Sequence, residues 1–129
     1  MGIWLMITVE SLLIPAIMVG IGWLFRKRPP KNINPIYGYR TAMSMKNQDT
    51  WDFAHRICAE VWIRWGLVLL IVSALALAAI VPLGQERAVW AGTWICLLQL
   101  IPLLGSIVPV ERALKKTFDQ DGNRREKNP

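Results

Sequence analysis

Few side chains in this sequence are of types that do chemistry. The one histidine, His55, stands in an H-x-x-C spacing with Cys58, which puts the two on one face of a helix. That is half of a structural zinc site, which takes four ligands, and the chain has no second histidine. No Ser-His-Asp order, phosphate-cradling glycine loop or H-E-x-x-H helix is present. The sequence therefore predicts no metal, no cofactor and no enzymatic activity. The carboxylate that stands out is Glu10, inside an apolar run, where ionisation costs a few kcal/mol unless the group is protonated, paired or hydrated. Gln99, in another apolar run, is placed to hydrogen-bond a protonated Glu10. Arg64 sits roughly 15 Å away in depth, too far for a direct ion pair. Two readings stand for Glu10: a functional intramembrane group, or a carboxylate facing a small water-filled dent with no transport role.

The elements that must position these residues are apolar runs. Hydrophobic residues make up 53% of the 129 and charged ones 19%. They gather into three stretches, Ile3–Phe25, Val61–Val81 and Ala88–Val110, each near the roughly 20 residues that cross a bilayer as a helix. A soluble globular domain is excluded, and so is a transmembrane barrel, whose alternating strands are not visible. The fold class read from this is an all-α membrane protein with three transmembrane helices. One three-helix domain is expected over residues 1–116, with a polar, disordered tail over 117–129.

Fifteen Lys and Arg against nine Asp and Glu give a net charge of +6. The cations cluster after the first run (Arg26, Lys27, Arg28, Lys31) and after the third (Arg112, Lys115, Lys116), whereas the turn Pro82–Arg87 is nearly bare. The positive-inside rule then predicts an outer N-terminus, a cytoplasmic loop over 26–60 and a cytoplasmic C-terminus, in a multi-pass protein of the cytoplasmic membrane. The first run lacks a basic n-region and a cleavage site, so it is read as a retained helix rather than a signal peptide. Six of the seven Trp fall at span ends, as interfacial belts do. Basic groups lying against a membrane leave no nucleic-acid reading. They serve as the topology signal or recruit anionic lipid headgroups.

Pro15 removes a backbone hydrogen bond within the first span, and Pro29-Pro30 ends it. The turn-rich stretch that follows is expected as an ordered loop near the headgroups. Ser44 or Asn47 is the candidate N-cap of a helix from about Lys46, with Asp49 in its first turn. Asp52, Arg56, Glu60 and Arg64 recur every four residues with alternating sign, predicting a ladder of ion pairs. Trp51, His55 and Cys58 mark another face. Pro82-Leu83-Gly84 ends this helix, and Pro102 and Pro109 make the third span irregular. Cys58 and Cys96 are expected as free thiols.

The string Asn34-Pro35-Ile36-Tyr37-Gly38-Tyr39-Arg40-Thr41, with Ser44 and then Trp51-Asp52-Phe53-Ala54-His55-Arg56, resembles the signature of the SdpI family of bacterial membrane proteins. The motif positions carried over are Asn34, Gly38, Arg40, Thr41, Ser44, Trp51, His55 and Arg56. The resemblance implies immunity: the family's named member protects a toxin-producing bacterium from its own secreted peptide and sequesters a repressor at the membrane. That member is longer, and this chain corresponds to the shared three-helix part. Physical chemistry suggests roles for some positions. Gly38 supplies a positive φ or close approach, and Arg40 a planar fork for Asp49, Asp52, a helix-end carbonyl or a lipid phosphate. The motif is either a folded staple or a ligand site.

Three functions follow as alternatives. One is protection against a membrane-active peptide toxin bound within the bilayer. Another is a small transporter or channel subunit using Glu10, which requires a homo-oligomer because three helices enclose little volume. The last is a membrane adaptor recruiting a cytoplasmic regulator.

Overall fold

The computed structural model describes residues 2–125. Four helices follow in order: α1 (Gly2–Lys27), α2 (Gln48–Ile80), α3 (Gln85–Gly105) and α4 (Ile107–Thr117). Three helical segments, Gly2–Lys27, Gln48–Leu83 and Gln85–Thr117, are long and apolar enough to cross a membrane. The chain is thus all-helical in its regular elements, as the apolar runs predict.

Each boundary has a local cause. Arg26 and Lys27 close α1 against the negative end of its dipole, and Pro29-Pro30 cannot continue it. Pro15 lies buried inside an unbroken α1. Asn47 caps α2 in a reciprocal box: its Oδ1 accepts the Thr50 N–H at 2.9 Å, and Thr50 Oγ1 accepts the Asn47 N–H at 3.1 Å. A 3-10 turn over Val81–Leu83 and Gly84 at φ +86° reverse the chain into α3.

The third segment is not one helix to Val110. It breaks at Ser106 behind Pro102, and Ser106 Oγ accepts the Trp62 indole N–H at 3.0 Å, which ties the break to α2. Beyond it α4 is amphipathic, burying Val110 and Leu114 while Arg112, Lys115 and Lys116 stay exposed.

In lipid the hydrophobic effect does not drive helices together, so close approach of small residues matters most. Gly22 of α1 packs on Ala59 and Ile63 of α2, and a methyl group there would lie 2.9 Å from Ile63 Cγ1. Gly66 of α2 receives Met18 and Val19 of α1, and Gly92 of α3 receives Ile7. Near the middle of the bundle Gln99 Nε2 donates to the Ser11 carbonyl at 2.7 Å and to Ser73 Oγ at 2.6 Å, joining α3 to α1 and α2.

Two buried clusters mark the ends. Ile7, Ile80 and Ala88, with Trp4 beside them, hold the start of α1, the end of α2 and the start of α3 together. At the other end Phe25, Tyr39, Phe53, Ala54, Cys58, Val110, Leu114 and Phe118 form the larger cluster.

The segment expected as a disordered tail is folded through Arg125. Phe118 is fully buried against Phe53, with ring centroids 5.3 Å apart. Its backbone bridges Arg124 across a turn at Gly122, φ +82°. Asn47 Nδ2 donates to the Gly122 carbonyl at 2.7 Å, and Arg124 grips Asp49 with two bonds of 2.8 Å. Average polarity hid this, because a single aromatic meeting a platform on α2 is enough to anchor the turn. Residues 126–129 of that predicted tail lie outside the described residues.

Candidate functional site

Most of the motif positions converge on the loop between α1 and the first two turns of α2. Asn34 shapes the loop's start: its Oδ1 accepts the N–H groups of Ile36 at 3.0 Å and Tyr37 at 2.6 Å, an Asx turn. Arg40 Nε donates to the Asn34 carbonyl at 3.0 Å, which pins the two sides of that turn. Of the partners weighed for Arg40, Asp49 is taken by Arg124 and Asp52 accepts from Gln48 Nε2 at 2.8 Å.

The loop then descends onto Trp51 and His55. Gly38, at φ +120°, lies so close that a methyl group would sit 2.6 Å from His55 Nε2 and 3.1 Å from the Trp51 ring. No other residue fits both the backbone angle and the gap. The Tyr39 N–H donates to His55 Nε2 at 2.8 Å, so that nitrogen carries no proton. His55 Nδ1 is 2.7 Å from the Trp51 carbonyl and must be the donor there. The ring is therefore neutral with its hydrogen on Nδ1. Both nitrogens are committed, which leaves none for a metal.

Trp51 is fully buried and its indole N–H donates to the Pro30 carbonyl at 2.8 Å, catching the chain as it leaves α1. Phe25 of α1 meets the His55 ring edge-on at 5.1 Å. Thr41 and Ser44 bond reciprocally, Thr41 N–H to Ser44 Oγ at 2.9 Å and Ser44 N–H to Thr41 Oγ1 at 3.2 Å. Ser44 Oγ also lies 3.0 Å from the Tyr39 carbonyl. These contacts make the motif a staple that fixes the loop beneath the helix ends.

Three positions outside the predicted set, Tyr39, Glu111 and Thr50, complete it. The Tyr39 hydroxyl donates to Glu111 Oε1 of α4 at 2.7 Å, linking the loop to the third segment. Burial, reinforced by the Glu111 carboxylate it bonds, pushes the Tyr39 phenol far above the ordinary tyrosine range. Thr50 was legible as the third residue after Asn47 in a capping box, whereas nothing in the sequence marks Glu111 as the partner of Tyr39.

Arg56 belongs to the motif string but not to the staple. Its guanidinium lies over the Phe53 ring at 5.4 Å on the exposed face of α2. The predicted ladder of Asp52, Arg56, Glu60 and Arg64 does not close. Among the described residues the ion pair formed is Arg124 with Asp49, and the ladder's cations make none. Long side chains at a surface lose more freedom than such a pair returns.

The intramembrane candidates also separate. Gln99 is 3% exposed and bonds Ser11 and Ser73 rather than Glu10, because α1 turns the Ser11 backbone toward it. Glu10 is half-buried and lines a lateral groove of about 690 Å³ between α1 and α3. Leu5, Met6, Val9 and Leu13 form one wall, and Val89, Thr93 and Cys96 the other. Among the described residues Glu10 has no ion-pair partner.

These features define a multi-pass helical membrane protein whose first connection is stapled to its second helix by a glycine, a tryptophan and a histidine. A model of the SdpI/YfhL protein family matches residues 31–110, and the chain belongs to that family. It is also similar to an uncharacterized protein, YfhL, of Bacillus subtilis (strain 168), 45% identical over 53 residues. That stretch covers 41% of this chain and 48% of the other, so the chain spans about half the length of the curated relative it matches. No solved structure matches it.

Proposed function

We propose that this protein of the bacterial cytoplasmic membrane protects the cell against a membrane-active peptide toxin, binding the peptide within the bilayer without catalysis. The observation that carries this reading is Glu10 in its groove. At about 1.5 Å per residue the carboxylate lies about 12 Å along α1, where an unpaired charge is expensive. The groove opens sideways to lipid, since Leu5, Met6, Val9 and Leu13 are each at least 50% exposed. Whatever fills it arrives through the bilayer. The complementary occupant has an apolar face and a cation to meet Glu10, which is the make-up of a membrane-active peptide.

Topology supports the same reading. The cations beyond α1 and on α4 share the staple end, which the positive-inside rule assigns to the cytoplasm. Glu10 then faces the outer leaflet, the side from which a secreted peptide comes. Membership of the SdpI/YfhL family adds support through the immunity role that the SdpI resemblance implies.

The test is survival of a sensitive bacterium making the intact chain or Glu10→Gln, at matched membrane levels, against a panel of secreted cationic peptides. The intact chain is expected to protect against at least one peptide and Glu10→Gln to lose that protection. Absence of protection against every peptide, with the protein inserted, overturns the reading.

A further inference from the structure

At the staple end, α1 and α2 part just beyond the Gly22 notch and leave a recess of about 450 Å³. Phe25 supplies its apolar wall, and Arg26, Arg56, Asp52 and Glu60 its rim. A second recess of about 200 Å³ continues it along the seam, sharing Arg26 and Glu60 and adding Arg64. Residues 52, 56, 60 and 64 lie one helical turn apart, so one face of α2 carries cation and carboxylate in alternation.

Three observations point to what fills this seam. The level is interfacial: Trp23, 57% exposed, sits one turn before Arg26 where the apolar part of α1 ends. Among the described residues Arg26, Arg56 and Arg64 make no ion pair despite carboxylates at helical spacing, and Arg56, which lies over the Phe53 ring, keeps its N–H edge for a ligand. The rim holds both signs, so it suits neither a simple anion nor a simple cation.

The geometry points to a binding site for a zwitterionic aminophospholipid, phosphatidylethanolamine, along the α1–α2 seam. Its phosphate is met by the guanidinium forks of Arg26 and Arg56, which suit phosphate oxygens. Its primary ammonium donates hydrogen bonds to Glu60 and to Asp52, whose Oδ1 also accepts from Gln48, and its acyl chains pass Ile63, the apolar residue of the second recess, toward the bilayer. Phosphatidylcholine presents the same phosphate but no N–H donor. Phosphatidylglycerol presents no cation for the two carboxylates. The site is independent of the Glu10 groove, which lies at the opposite end of α1.

Native mass spectrometry of the delipidated full chain, titrated separately with phosphatidylethanolamine, phosphatidylcholine and phosphatidylglycerol, tests this. The expected order places phosphatidylethanolamine about tenfold or more ahead of the other two. The double variant Arg26→Gln, Arg56→Gln should bind it about tenfold more weakly, and the double variant Asp52→Asn, Glu60→Gln should abolish the preference over phosphatidylcholine. Arg112→Gln, an exposed cation elsewhere, should match the unmodified chain. Equal affinity for the three lipids overturns the proposal without reference to any variant, as does unchanged binding by the arginine double variant. Soluble phosphoethanolamine should compete weakly; competition as strong as the lipid's would make this a site for a free metabolite and overturn the lipid assignment.

Discussion

The Tyr39 backbone N–H donates to His55 Nε2 at 2.8 Å, a bond between a loop and a helix that sets the ring's tautomer. His55→Ala leaves that buried N–H without an acceptor and opens a cavity beside Trp51, at a cost of about 3 kcal/mol. His55→Gln, whose side-chain oxygen reaches the level of Nε2, should recover part of the loss. Thermal unfolding in detergent micelles, followed by far-UV circular dichroism, measures both. Nitrogen NMR of the imidazole should show the hydrogen on Nδ1.

Gly38→Ala combines an unfavourable backbone angle with a methyl group 2.6 Å from His55 Nε2. A destabilisation of about 2 kcal/mol or more is expected in the same assay. Gly20→Ala is the control, since a methyl group there meets nothing within 4 Å and no positive φ is involved. Its melting temperature should equal or slightly exceed the parent's, because alanine is the better helix former at an open helical position.

The Tyr39 phenol should keep its proton far above the ordinary tyrosine value of 10.0 for as long as the fold persists. Above that value the unfolded chain sheds the proton and the folded chain holds it, so stability is complete below pH ~10 and declines as pH rises further. Alkaline absorbance titration of a Tyr37→Phe variant should show tyrosinate appearing only together with unfolding. Tyr39→Phe should remove this alkaline coupling.

Phe118→Ala should release the turn that docks on the start of α2. The ring is fully buried, and its removal costs about 3 kcal/mol. Limited proteolysis should then cut near Lys115 and Lys116 in the variant and spare those bonds in the parent.

Much of this architecture can be read directly from residue order. Apolar runs of bilayer length place the helices, Pro29-Pro30 and Pro82 end them, and residue type narrows the cap of α2 to Ser44 or Asn47, between which the structure selects Asn47. Gly38 and the Trp51/His55 face are visible as a spaced string, although not as parts in contact. What sequence order hides is long-range pairing. Tyr39 and Glu111 are 72 positions apart, Asn47 and Gly122 are 75, and Gln99 and Ser11 are 88. Helical spacing also suggests ion pairs at 52, 56, 60 and 64 that the side chains do not make, because spacing permits a pair without determining where a flexible guanidinium rests.

The groove holding Glu10 is proposed to take a cationic peptide from the bilayer. The direct measurement is a titration of a fluorescently labelled peptide, one against which the intact chain protects, with the chain reconstituted in lipid nanodiscs. Saturable binding is expected, weakened about tenfold or more by Glu10→Gln and unchanged by Arg40→Ala, whose side chain lies at the far end of the bundle. Equal binding by the parent and Glu10→Gln would contradict the account.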